Sequence, residues 1–191
     1  MVRAATLALL LFTAAAARAE DAPLDVPASS LTFTGHAFLH DFHGAAKVFR
    51  GQAQIDPARP EMVRGAVLDI DAAKLTTFES ARDQNMDAWL HTDTNTAIRF
   101  ELAEVKPLDG DLAHATKESP AHFAIAGTFT LNKVPKPLKT TAVAWREGKH
   151  LVVDGAVTID TEDHALPQVK QMFLTVDPKV DIAFHLVFDL P

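Results

Sequence analysis

The chain has no cysteine. That excludes a disulfide framework, thiol chemistry, Cys-ligated zinc or iron–sulfur centres, and a lipid anchor on an N-terminal cysteine. Tyrosine is absent too, while phenylalanine occurs twelve times, so none of the aromatic rings carries a hydroxyl in need of a partner. Glycine is sparse, at eight residues. None of the motifs that depend on it is present: no Gly-x-x-x-x-Gly-Lys phosphate loop, no Gly-x-Gly-x-x-Gly, no Gly-x-Ser-x-Gly nucleophile elbow. Positive charge is in deficit, with a formal net charge of −7. That argues against nucleic acid, whose binding neutralises phosphates with clustered Lys and Arg, and against adhesion to anionic lipid headgroups. Long apolar runs are missing as well. The longest, residues 4–16, is 13 residues long, short of the ~18–20 needed to span a bilayer.

What is present at the N-terminus reads as an export signal: Arg3, the apolar run, then Ala17-Arg18-Ala19 as a small-x-small cleavage site. Cleavage after Ala19 is expected, leaving residues 20–191 as one domain in the periplasm. Losing Arg3 and Arg18 takes the net charge from −7 to −9. A chain of this size buries a sizeable core without covalent staples.

Beyond residues 20–30, which read as an acidic, Pro-containing arm, apolar residues recur at every second position, the period of a half-buried strand. Leu31, Phe33 and Gly35 alternate with Thr32 and Thr34. Ala66, Leu68 and Ile70 share one face. Ile98, Phe100 and Leu102 alternate with Arg99 and Glu101. Phe123, Ile125, Gly127, Phe129 and Leu131 make a longer run, and Val180, Ile182, Phe184, Leu186 and Phe188 the strongest. The pattern predicts a mainly β domain: an antiparallel up-and-down barrel of about eight strands, closed so that no edge is exposed. One segment breaks the rhythm. Ser80 is placed to cap a helix through Leu90, with Asp83 three residues on as in a capping box and Met86 and Leu90 on one face with Arg82. The helix is expected against the barrel or across its mouth. Residues 162–174 form a second irregular stretch.

These segments resemble, in order, those of the YceI-like family of secreted, lipocalin-like barrels. The matches are Ser30-x-x-Phe33 with Gly35; Gly51 and Ile55-Asp56-Pro57; Arg82-Asp83-x-x-Met86 before Ile98-x-Phe100; and Gly127-x-Phe129-Thr130-Leu131 before Val134-x-Lys136-Pro137. There are departures: Thr96-Ala97 replaces Tyr-Pro, Lys133 stands where a Gly is usual, and Asp163-His164-Ala165-Leu166 replaces Asp-Phe-Gly-Ile. The resemblance implies an elongated barrel that holds a polyisoprenoid or similar amphiphilic lipid, without catalysis and without a cofactor.

An apolar tail leaving water gains ~25 cal/mol per Å² buried, and a lumen for it is lined by apolar side chains with few polar groups. Candidate lining residues are Phe33, Phe49, Phe100, Phe123, Phe129, Phe184 and Phe188; the alternative is that these rings fill a solid core. Met86, Trp89, Met172 and Phe173 are candidates for the rim, or else ordinary packing between helix and barrel. Arg82 is the candidate for an anionic headgroup; its alternative is an ion pair with Asp83 or Asp87. Lys133, Lys136 and Lys139 read as a solvated turn.

The nine histidines raise a second function, a metal- or haem-linked stress protein. The densest set is His36, His40 and His43. On one extended strand, four residues span ~13 Å, whereas zinc ligands stand within ~2.0–2.1 Å of the ion. His36 and His40 therefore cannot share a metal, and no metal site is expected there unless a bend brings His40 to His43. A homodimer is compatible with the sequence and required by nothing in it.

Overall fold

The computed structural model describes residues 19–56, 59–171 and 174–191. The proposed signal segment up to residue 18, and Met172 and Phe173, lie outside the described residues. The period-two runs become strands. In order they are β1 (Glu20–Pro23), β2 (Ser30–Ala37), β3 (Asp41–Ala46), β4 (Phe49–Asp56), β5 (Arg59–Asp71) and β6 (Leu75–Thr76). After the helix α1 (Ser80–Leu90) come β7 (Ala97–Asp109), β8 (Ala121–Leu131), β9 (Val134–Glu147), β10 (His150–Asp160), β11 (Lys170–Gln171) and β12 (Leu174–Asp189). Short 3-10 turns, Ala72–Lys74 and Glu162–His164, join β5 to β6 and follow β10.

Every described pairing is antiparallel. From β7 each strand pairs with the next as far as β10, β10 pairs with β12, and β12 with β2. The remaining segments complete the circuit. β3 runs into β4 at Lys47-Val48 while β5 runs into β6, and the two ladders are joined across the bend by Lys47 N–H to Lys74 O (2.9 Å) and Asp71 N–H to Val48 O (3.0 Å). β1 pairs β4, and Leu24 bridges Phe188 of β12. β1 thus fills, at one end, the place that β2 fills at the other. The segments amount to eight staves: β1 with β2, β3 with β4, β5 with β6, then β7, β8, β9, β10 and β12. The expected count of about eight and the larger number of strand segments describe the same closed sheet, because bends divide three of the staves.

Two local expectations are corrected. The acidic arm contains β1, whose Ala22 is fully buried. Ser80 is the first residue of α1 rather than its cap; Glu79 holds the cap position without a side-chain hydrogen bond. Asp83 faces backward instead, accepting from Thr76 Oγ1 (2.7 Å), Thr77 N–H (2.6 Å) and Thr77 Oγ1 (2.6 Å). Burial pushes its carboxyl up, but the hydrogen bonds from Thr77 and Thr76 outweigh this and hold it below the usual carboxylate range. The helix stops at His91, which turns left-handed at φ 54°. No helix among the described residues is long and apolar enough to cross a membrane.

The ends of the barrel are closed differently. At one end the connection between β7 and β8 folds inward, burying Leu112 and Ala115 in one cluster with Ile55, Phe123, Trp145 and Phe188. At the other, Leu90 of α1 and Leu166 pack against Ile98, Phe129, Leu131 and Ile159. Hydrogen bonds fasten this second end. Asn95 Nδ2 donates to Leu90 O (3.1 Å) and to Asn132 Oδ1 (2.5 Å), Asn132 Nδ2 donates to His164 O (3.0 Å), and Trp89 Nε1–H donates to Pro167 O (2.8 Å).

Candidate functional site: an apolar lumen

Between the two packed ends the barrel is hollow. The cavity measures about 250 Å³, against the ~10–15 Å³ that holds one water, so it is no packing defect. Its wall draws on every stave and on α1. Among the described residues that line it, the only polar ones are Thr32, Thr140 and Thr161; none is ionisable. Two of these hydroxyls already donate to backbone, Thr140 Oγ1 to Ala156 O (2.6 Å) and Thr161 Oγ1 to Pro178 O (3.0 Å). Water in such a space finds few partners, and an apolar chain gains by displacing it.

Glycine keeps the lumen open. On neighbouring strands Phe33 faces Gly44 and Phe184 faces Gly155, and the far end of each ring occupies the space a glycine Cβ would take. Phe100 lies over Gly127 in the same way. The rings are laid along the wall instead of projecting across the axis, the packing by which an aromatic covers a bare stretch of sheet. As a result Phe33, Phe100, Ile182 and Phe184 face inward yet are only half-buried. A solid core would bury them fully.

Of the residues singled out in the sequence, Phe33, Met86, Phe100, Phe123, Phe129, Phe184 and Phe188 come together on this wall. Phe49 does not reach it. The ring is buried in the cluster that also holds Leu24 and Ala22. Trp89 also stays outside, because its indole is drawn toward Pro167. Arg82 reaches no part of the lumen: its guanidinium carbon stands 5.2 Å from the centroid of Phe42, a cation–π contact just outside the end that α1 covers. Sequence reasoning missed Leu112, Leu90 as a lining residue and the Asn95–Asn132 link. Leu112 and Asn95 lie in polar connections where no periodicity marks them.

The histidines are dispersed. His36 lies between two carboxylates, Nδ1 3.0 Å from Asp41 Oδ1 and Nε2 3.0 Å from Asp181 Oδ2, and Thr158 Oγ1 donates to Asp181 Oδ1 (2.6 Å). The hydrogen bonds to Asp181 and then Asp41 raise the imidazole above its ordinary pKa. His43 Nδ1 pairs with Thr34 Oγ1 at 3.0 Å. Among the described residues, none of His36, His40 and His43 joins a group of three ligating side chains close enough to share an ion. His164 is buried against the edge of Phe129, with ring centroids 5.5 Å apart.

Comparison with known proteins agrees with this geometry. The model of the YceI-like domain matches residues 23–188. No curated protein matches significantly. Solved structures with the same fold include BcnA of Burkholderia cenocepacia (TM-score 0.73, 20% identity, covering 86% of this chain and 98% of that one). A polyisoprenoid-binding domain from Saccharophagus degradans, implicated in plant cell wall breakdown, gives a TM-score of 0.68 at 19% identity over 89% and 98%. The YceI protein of Campylobacter jejuni gives 0.62 at 13% over 78% and 84%.

Proposed function

The chain belongs to the YceI-like family, and on that premise we propose that it sequesters one chain of a polyisoprenoid or similarly slender amphiphilic lipid, as a carrier or store outside the cytoplasm. The single observation that carries the reading is the lumen, hollow between two packed ends and lined by no ionisable group among the described residues. Its volume, about 250 Å³, falls just below the ~300–1,000 Å³ typical of ligand pockets, which suits a thin tail better than a fused ring system. Length suits it as well: Val180 to Phe188 both line the wall, and eight residue steps of strand cover ~26 Å. Each Å² of tail surface withdrawn from water contributes ~25 cal/mol, so affinity comes from burial along the tunnel and needs no polar contact inside it.

The polar head stays at the end covered by α1 in this reading, where Arg82 supplies a cation beside the outer aromatic Phe42. The resident chemistry is binding, with no nucleophile or acid–base pair assigned to it. The placement outside the cytoplasm rests on the Arg3-to-Ala19 export pattern. The test is rebinding of a polyprenyl alcohol to solvent-extracted protein. Wild type is expected to take up one lipid per chain. Ala142→Phe, which puts a ring on a small wall position, is expected to cut uptake at least tenfold with an unchanged β-sheet circular dichroism spectrum. Equal uptake by the two proteins would overturn the proposal that the lumen is the binding site.

A further inference from the structure

Away from the lumen, at the end closed by the β7–β8 connection, three ligating side chains converge from separate parts of the chain. Asp25 lies just after Leu24, in the connection between β1 and β2; His150 opens β10; and Asp189 ends β12. One donor atom from each lies within 4.8 Å of the other two. Ligands of an ion with nitrogen and oxygen donors ~2.0–2.2 Å away stand at most about 4.4 Å apart, so binding draws the three groups together within this bound.

Backbone pairing fixes all three positions. His150 and Asp189 are direct partners in the β10–β12 ladder. Asp25 N–H donates to Val187 O at 2.8 Å, and Leu190 N–H to Lys149 O at 2.8 Å. A second observation points to a ligand. His150 Nδ1 is shielded from solvent and makes no aligned hydrogen bond, although Asp189 Oδ1 is an ion-pair distance of 3.0 Å away and both side chains are partly exposed. A nitrogen and a carboxylate oxygen held close but not aligned for a hydrogen bond are arranged as neighbouring ligands of one ion are.

We propose that Asp25, His150 and Asp189 bind a divalent first-row transition metal ion that clamps the first and last staves of the barrel to β10. The imidazole selects against magnesium and calcium, which take oxygen ligands, and two carboxylates with one neutral imidazole balance the charge of a divalent ion. Three protein ligands leave a coordination position for water. The ion closes the seam where β1 and β12 meet and takes no part in lipid binding. None of the residues belongs to the His36, His40 and His43 set, so a metal clamp arises here without the dense histidine motif.

The experiment is calorimetric titration of zinc sulfate into chelator-treated, full-length protein, with thermal unfolding run in parallel. Wild type is expected to bind one zinc per chain and to melt at higher temperature when loaded. His150→Gln, Asp189→Asn and Asp25→Asn should each weaken zinc at least tenfold and abolish the thermal shift, whereas His36→Ala combined with His43→Ala should leave both intact. Absence of zinc binding by wild type up to millimolar concentration would overturn the proposal. So would zinc binding that all three substitutions leave unchanged.

Discussion

The packing of rings against glycines sets the width of the lumen one residue at a time. A Cβ on Gly155 would collide with Phe184, and Phe184 has only two ways to yield: strain its rotamer or swing into the lumen. Gly155→Ala is therefore expected to cost about 1–3 kcal/mol in chemical denaturation and to lower lipid uptake as the ring moves inward. An alanine that left both stability and uptake unchanged would show that the contact does not govern the lumen. The glycine spacing was visible in the sequence, but its meaning was not. Gly44 and Gly155 gain theirs only from the register that puts each opposite a Phe. The departures from the family pattern were legible as departures, and the structure supplies their backbone conformation. Lys133 sits at φ 62° and Ala165 at φ 57°, left-handed positions where the family's glycine costs less.

At the scale of elements, two attachments matter most. One is the seam between β2 and β12, where pairing shifts register between Val176 and Val180 and His36 spans Asp41 and Asp181. His36 is raised above its unfolded value, so its stabilising effect is fully present below about pH 6.5 and is lost as pH rises through the higher folded value. Thermal midpoints measured from pH 6 to 9 are expected to fall in this window, by less in His36→Gln than in wild type. An identical pH profile for the variant would contradict the assignment.

The other attachment is α1. Its existence and span were legible from Ser80 to Leu90 because no strand alternation crosses them, and its position against the barrel followed from Met86 and Leu90. The fastening was not legible, since Trp89 Nε1–H finds its acceptor 78 residues away, at Pro167 O. A single hydrogen bond is worth about 0.5–1.5 kcal/mol. Trp89→Phe should thus leave the barrel folded while speeding lipid release from the end that α1 covers, measured as the off-rate of a fluorescent polyprenyl probe. An unaltered off-rate would place the exit elsewhere.

Taken as a whole molecule, the chain could be read as a barrel because period-two alternation survives in nearly every segment. The strand count needed the structure, which shows bends at Lys47-Val48 and Ala72–Lys74 dividing long staves without breaking the ladder. The hollow interior followed only from the family resemblance and could not be read from the alternation itself. Phe33, Phe100 and Phe184 would appear at the same positions in a solid core, and only their partial exposure inside a closed sheet distinguishes the two. A lumen lined by no ionisable group among the described residues is the physical basis of the proposed role.

Native mass spectrometry of the protein purified from the organism that produces it tests that role most directly. The expected spectrum shows the chain carrying the extra mass of one amphiphilic lipid, which organic extraction removes and added polyprenyl lipid restores. A bare chain that takes up no lipid on addition would contradict the binding role, hollow barrel or not.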